Sequence, residues 1–299
     1  MSHRLGIDLG GTKIAAVVLD RDGRVAWQTR VSTPRHDYVA TIEALANVVG
    51  AAEAAVDDRC TVGLGMPGAI SPATGLVKNA NSTWLNGRPF QRDLEARLGR
   101  AVRCANDANC LARSEAADGN AAGASVVFGV IVGTGTGGGL VVNRQVITGA
   151  NAIAGEWGHN ALPWPSPDEV PGPACYCGRA GCLETWLSGP GLAADFARRT
   201  GESVRAEAIV TRAAAGEADA RRALEAWTGR LARGLASVIN LLDPDVIVMG
   251  GGLSEIASLY DEVPRLWREW VFSDRIDTRL VPAMYGAASG VRGAAWLWE

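Results

Sequence analysis

The sequence predicts an α/β protein built as two lobes, and three observations carry that reading. Leu5–Leu19 and Val126–Val142 are each an apolar run, a glycine-rich reversal carrying threonine, and a second apolar run, so the same kind of hairpin opens two halves of the chain. Short Val- and Ile-rich runs alternate with stretches of helical period. The length, 299 residues, is enough for two cores.

After the first hairpin, Arg24–Val31 reads as a third strand and residues 38–56 as a helix with Ile42, Leu45, Ala46 and Val49 on one face. Thr61–Met66 is a strand stopped by Pro67 and Gly68. A short helix over 90–98, a strand over 101–105 and a helix over 108–118 follow. The second lobe opens at Ser125 with the second hairpin and passes through an irregular, proline-rich segment, Pro163–Pro173. It turns helical from Gly191 and again over Ala218–Leu242, then reaches a buried-looking strand, Pro244–Met249, ended by Gly250, Gly251 and Gly252.

Charged residues are one fifth of the chain and the formal net charge is −3, which offers no general attraction to nucleic acid or to an anionic membrane. No apolar region with a cleavage site follows Met1, and the apolar stretch Val126–Val132 is far short of a membrane span. The expectation is a soluble, cytoplasmic protein with a small-molecule partner. Of six cysteines, Cys60, Cys104 and Cys110 are scattered among apolar residues and read as inert thiols, whereas Cys175, Cys177 and Cys182 cluster. In a reducing compartment clustering suggests a metal before a disulfide.

The turns Gly10-Gly11-Thr12 and Gly133-Thr134-Gly135 carry the first chemical signal. Glycine admits positive φ and lets backbone N–H groups approach an anion, and threonine adds a hydroxyl donor, so two such turns can grip one polyphosphate from opposite sides. Ordinary hairpins are the competing reading, but the five glycines at 133, 135, 137, 138 and 139 exceed what a tight turn needs. Gly63–Gly68 and Gly133–Gly138 both match G-x-G-x-x-G, yet that fingerprint must open a helix, and these run into Ala69–Pro72 and into a strand. Gly10–Lys13 also lacks the upstream spacing of a Walker A loop.

Asp8, at the end of the first strand, would repel a polyphosphate unless Mg²⁺ stood between them, which makes it a candidate on the magnesium side. Lys13 is one of two lysines against 27 arginines and follows the Gly-Gly pair closely; a solvated edge lysine explains it equally well. Asn106 and Asp107 lie between a predicted strand and a predicted helix, where either a functional side chain or a helix N-cap belongs. Transfer of a phosphoryl group to an alcohol needs an acceptor for the hydroxyl proton, and Asp107 can serve. His159, Cys175, Cys177 and Cys182 supply one imidazole and three thiolates, a closed tetrahedral shell for structural Zn²⁺. Glu156 and Glu184 bracket this cluster and would be drawn together by the metal, or are isolated surface glutamates.

Together, Asp8–Lys13, Asn106–Asn109, Gly133–Gly135, Gly155–His159 and the run from Cys175 to Glu184 resemble the ROK family of sugar kinases and repressors, in order from residue 5 to Ser289–Trp296. More narrowly, Lys78–Gly87 and the ending Gly293–Trp298 resemble the family's bacterial fructokinase, or mannofructokinase. The resemblance implies a two-lobed, actin-like ATPase fold of the hexokinase and ribonuclease H type with a zinc-bound loop, and ATP in the cleft between lobes. The last helix would return to the first lobe, giving a division into residues 1–118 with 287–299, and 119–286.

It further implies transfer of the γ-phosphoryl of ATP, with Mg²⁺, to the C6 hydroxyl of a free hexose, fructose first. N-acetylglucosamine kinase or glucokinase is the alternative. By resemblance Asp107 is the general base, Asn81, Asn106, Asp107, Glu156, His159 and Glu184 hold sugar hydroxyls, and His159 also binds zinc. Gly10, Gly11, Thr12, Thr134 and Gly135 contact phosphates, with Asp8, Lys13 and Gly133 beside them, and Gly250, Gly251 and Gly252 meet the nucleoside. A homodimer is the family's usual assembly. A sugar-responsive repressor is the rival from another class; family repressors carry a DNA-binding domain ahead of the first hairpin, and only four residues precede Leu5 here. Pro163–Pro173 departs from the family's glucokinases.

Overall fold

A computed structural model describes residues 3–298 of the chain, which divides into two compact units. The first runs through Gly123 and takes in Gly139–Ala154 and the chain from Ala287 on; the second holds Ala124–Gly138 and Gly155–Gly286. Gly139–Ala154, which the sequence reading puts in the second lobe, therefore groups with the first unit. The reason is local: Leu140 donates its N–H to Asn109 Oδ1 at 3.3 Å. Residues 1, 2 and 299 of the expected division lie outside the described residues.

In the first unit β1 (Arg4–Leu9) pairs antiparallel with β2 (Lys13–Leu19), and β2 with β3 (Val25–Ser32). After α1 (Tyr38–Val56), β4 (Thr61–Met66) joins β1 in parallel. A two-stranded ribbon, β5 (Ala69–Ile70) and β6 (Val77–Lys78), and helix α2 (Phe90–Leu98) lead to β7 (Arg103–Asn106), which lies parallel to β4. The sheet order is β3-β2-β1-β4-β7, followed by α3 (Asp107–Asp118). Ile42, Leu45 and Val49 of α1 and Phe90 and Leu94 of α2 bury against Leu5, Ile7, Val62 and Leu64, so the inner strands read as nearly continuous apolar runs.

Among the described residues α1 is the one helix long and apolar enough, by length and composition alone, to cross a membrane. Its apolar stripe instead packs in this core.

The second sheet has the order β10-β9-β8-β11-β12, built from β8 (Val126–Val132), β9 (Thr136–Val142), β10 (Gln145–Val146), β11 (Val246–Gly250) and β12 (Arg279–Pro282). β10 runs antiparallel to β9, while β11 is parallel to both β8 and β12. This repeats the order of the first sheet, so the duplication visible in two turns extends to topology.

Helices of the second unit are α4 (Leu183–Leu187), α5 (Gly189–Thr200), α6 (Ala206–Ala214), α7 (Ala218–Leu242) and α8 (Leu259–Leu266). Trp227 of α7 is fully buried and donates its indole N–H to the Leu187 carbonyl at 3.0 Å. The proline-rich segment is tied to α7 by an ion cluster: Arg230 reaches Glu169 and Asp195, both at 2.7 Å, and Arg233 adds a 2.8 Å bond to Glu169.

The last helix, α9 (Ser289–Ala295), packs in the first unit against β1, β4 and α3. It lies so close that a Cβ on Gly293 would come within 1.7 Å of the Cys110 carbonyl oxygen, and one on Gly63 within 1.8 Å of that of Ala294. Ser289 Oγ fastens it further by donating to Glu115 at 2.9 Å.

Candidate active site

In the first unit the parallel strands β1 and β7 deliver Asp8 and Asn106 near their carboxyl ends, and Asp107 opens α3 immediately after, the usual place for ligand-binding side chains in an open α/β sheet. Burial, then the neighbouring Asp107, push the Asp8 carboxyl up to about 6, against a lowering pull from Lys13. Burial likewise raises Asp107, opposed by hydrogen bonds to the charged form, first from the Ala108 N–H at 2.8 Å. The two acids thus share one electrostatic environment that disfavours two negative charges, the setting a cation relieves.

Asn106 fills the competing role: it is the N-cap of α3, its Oδ1 accepting from Ala108 N–H at 2.9 Å, and its amide donates to the Gly68 carbonyl at 3.3 Å. Asp107 follows it as the first residue of α3.

The first glycine turn is closed by the Gly10 N–H donating to the Lys13 carbonyl at 3.0 Å and held from behind by Thr33, whose hydroxyl donates to the Gly10 carbonyl at 2.8 Å. Gly11 and Thr12 form its exposed tip, with Lys13 exposed beside them. Ser82, which the sequence reading passes over, is 2% exposed; its hydroxyl lies 3.7 Å from where a Gly11 Cβ would sit and has no hydrogen-bond partner among the described residues. Its neighbour Asn81 is exposed.

In the second unit the Gly133 N–H donates to the Gly135 carbonyl at 2.9 Å, and the Gly133 carbonyl accepts from the Gly189 N–H at 2.7 Å, tying the turn to the start of α5. Neither turn uses the positive φ expected of its glycines. What glycine provides at Gly133 is room, since a Cβ there would meet nothing within 4 Å. Of the three glycines after β11, Gly251 is required by the backbone itself, with φ +89 and a Cβ position only 2.3 Å from the Val132 carbonyl oxygen. Gly250 is the buried end of β11, and Gly252 is exposed.

Glu184, in the first turn of α4, accepts the Thr136 N–H at 2.9 Å, so this carboxylate sits against the glycine turn. His159, Cys175, Cys177 and Cys182 converge as the spacing predicts, with one donor atom from each lying within 4.8 Å of all the others. Cys175 Sγ is 3.7 Å from His159 Nδ1, and Cys177 Sγ is 3.6 Å from Cys182 Sγ, the edges of a tetrahedron that Zn²⁺ fits. A backbone hydrogen bond to Arg179 leads in drawing the Cys177 thiol down to about 7.

The other ring nitrogen, Nε2, lies 3.0 Å from Tyr176 Oη. Glu156 is exposed, directly before the turn that carries His159.

The family model described as "ROK family" matches residues 4–299. The chain belongs to the ROK family. A curated relative from Citrobacter koseri named N-acetyl-D-glucosamine kinase is 39% identical over 297 residues, covering 98% of each chain, and one of the same name from Pasteurella multocida is 39% identical over 300 residues, covering 99% of each.

Among solved structures, the ROK hexokinase from Thermus thermophilus superposes with a TM-score of 0.87 at 33% identity, covering 99% of this chain and 97% of its own. A ROK family glucokinase from Streptomyces griseus, solved with glucose and AMPPNP, gives 0.77 at 28% identity, covering 98% of both chains. The ROK chain is thus a sugar kinase with the α/β actin-like ATPase fold. The names of the curated relatives favour N-acetylglucosamine kinase, the alternative reading, over fructokinase.

Proposed function

We propose that the protein transfers the γ-phosphoryl group of ATP to the C6 hydroxyl of a free hexose, with N-acetylglucosamine as the first acceptor to test. The observation that carries this reading is the adjoining pair Asp8 and Asp107 at the carboxyl ends of parallel strands, beside a glycine turn with an unpartnered buried hydroxyl at Ser82. A buried hydroxyl without a partner is costly, and a phosphate oxygen or its water satisfies it.

The tips Gly11-Thr12 and Thr134-Gly135 would meet the phosphates, and Gly250–Gly252 the nucleoside. Asp8 would hold the Mg²⁺ side, where the cation neutralises phosphate charge. The His159, Cys175, Cys177 and Cys182 cluster would hold Zn²⁺ as a structural node that stiffens the loop bearing Glu156 and Glu184.

Asn81, Asn106, Glu156, His159 and Glu184 orient the sugar ring. Asp107 accepts the C6 hydroxyl proton as that oxygen bonds to the γ-phosphorus and the bridging bond to ADP breaks. Its raised basicity suits the task, because a carboxylate made more basic by its surroundings takes a proton more readily.

Fructose is kept as the second reading on the segment Lys78–Gly87. A panel of N-acetylglucosamine, fructose, mannose and glucose in an ADP-release assay decides between them, with N-acetylglucosamine expected to give the highest kcat/KM. Fructose leading would reverse the order, and no sugar-dependent ADP release with any hexose would defeat the kinase reading.

A further inference from the structure

We propose that Lys78 is a positioning residue of the acceptor side, whose ammonium pins the loop over residues 148–154 that leads into Glu156; this rests on the sugar-kinase reading above. The chain holds two lysines against 27 arginines. This one, half-buried at the end of β6, donates from Nζ to the Asn151 carbonyl at 2.6 Å, and lysine and loop both belong to the first unit.

The bond lands on a peptide that needs holding. The N–H of the same Asn151–Ala152 peptide donates to the Gly149 carbonyl at 3.2 Å, so both polar atoms of that plane are engaged. Ala152 is buried and left-handed, at φ +50, a conformation that an alanine side chain disfavours and that persists only where neighbours fix it. The loop closes on itself through the Ala154 N–H, which donates to the Thr148 carbonyl at 3.2 Å. Without Lys78 the peptide is free to rotate and relieve the strain, which shifts the stretch ending at Ala154, two residues before Glu156.

The backbone of Lys78 is packed beside the candidate catalytic residues. β6 pairs with β5 through Lys78 and Ala69. Gly68, directly before β5, has φ +71, and a Cβ there would lie 2.3 Å from the Lys78 carbonyl oxygen and 2.7 Å from the Ala80 nitrogen, so this corner sits flush on the lysine's main chain. The Gly68 carbonyl accepts the Asn106 amide at 3.3 Å, and Asp107 is the next residue. Lys78 thus springs from backbone that adjoins Asn106 and precedes Asn81 by three residues, while its head holds the loop that precedes Glu156. One side chain sets the spacing of segments to which three sugar contacts are assigned.

The test compares Lys78→Ala and Lys78→Arg with wild type in the full chain. Lys78→Ala is expected to raise the KM of the preferred hexose, and its calorimetric Kd measured without nucleotide, by about tenfold, the effect of one charged hydrogen bond lost at a partly exposed site. The fall in kcat should be smaller and the KM for ATP unchanged. Amide hydrogen exchange over residues 147–155 of the nucleotide-free protein should quicken in the same variant, because the Ala152 and Ala154 N–H groups lose protection. Lys78→Arg, which keeps a charged donor on a long stem, is expected to recover both.

Sugar affinity lost with no change in exchange over 147–155 overturns the assignment, since the ammonium would then act on the sugar itself. Wild-type protein that phosphorylates no hexose overturns the kinase reading and this proposal together, whereas an active wild type with an indifferent Lys78→Ala removes the proposal alone.

Discussion

Glu184 Oε2 accepts the backbone N–H of Thr136 at 2.9 Å, so a carboxylate assigned to the sugar also braces the glycine turn assigned to phosphate. One residue then bears on both substrates. Glu184→Gln can keep an oxygen on that N–H, while Glu184→Ala leaves it without a partner in a half-buried position. We expect Ala to raise KM for ATP and for sugar, each by roughly tenfold, on the order of 1.4 kcal/mol, and Gln to raise the sugar KM with little effect on ATP. Initial-rate kinetics with each substrate varied in turn checks this; equal effects of the two variants on the ATP KM would detach Glu184 from the turn.

Asp107 follows Asn106, which already performs the capping of α3, so removing the charge at 107 leaves the helix start intact. Asp107→Asn should bind sugar with near wild-type affinity yet lose at least about 10²-fold in kcat, the lower range for a missing general base. A calorimetric titration paired with turnover measurements separates the two quantities. Near-normal turnover would take Asp107 out of the proton-accepting role.

The Asp8 carboxyl, pushed up to about 6, gives a prediction with a definite sign. Only the ionised form can hold a cation, so kcat/KM should fall as pH drops through about 6, and raising Mg²⁺ should move that acid limb lower because cation and proton compete. For the cation-free protein the direction is opposite. A raised carboxylate makes ionisation destabilising, an effect absent below the ordinary value of 3.8 and complete above about 6. Asp8→Asn is therefore expected to be more stable than wild type at pH 8 by roughly 3 kcal/mol, with the difference vanishing near pH 3.5. Chemical denaturation at the two pH values measures it.

The sequence reading reached the elements whose burial is simple. The helix over 38–56 and the strand over 61–66 coincide with α1 and β4, because a 3.6-residue apolar stripe and an uninterrupted apolar run are each determined by local burial. It did not reach β12, where Leu280 is the one buried residue of Arg279–Pro282, or α8, where Pro264 sits inside the helix. Both are held by neighbours distant in the chain.

At the site, the His159–Cys182 cluster was legible because donor type and spacing are written in the residues themselves. Ser82 was not, since a serine signals nothing until the fold buries its hydroxyl beside Gly11. The turn glycines were read as positions for positive φ and close anion approach. Positive φ is absent there; a Cβ on Gly133 would meet open space, whereas one on Gly135 would lie 2.6 Å from Glu184 Oε2.

The ion cluster of Glu169, Arg230, Arg233 and Asp195 anchors the proline-rich segment to α7, and its energetics are set by near-complete burial: Arg230 is 2% exposed and Asp195 1%. Burial alone would push the Glu169 carboxyl up, but hydrogen bonds from Arg233 and Arg230 prevail and hold it at about 2. A carboxylate depressed in the folded state stabilises above its ordinary pKa of 4.5, and that stability is lost as pH falls from there toward 2. Arg230→Met should destabilise by about 3–5 kcal/mol at pH 7, because it leaves two buried carboxylates short of a partner. Replacing Glu169 with Gln at the same time should recover part of the loss, since one uncompensated charge goes with it. Urea unfolding of the single and double variants between pH 7 and 3 tests this: the penalty for Arg230→Met must shrink as the Glu169 carboxyl protonates, and a penalty that stays constant over that range would show that packing of Arg230 on Trp186, at 4.3 Å from the ring centroid, outweighs the ion pairs.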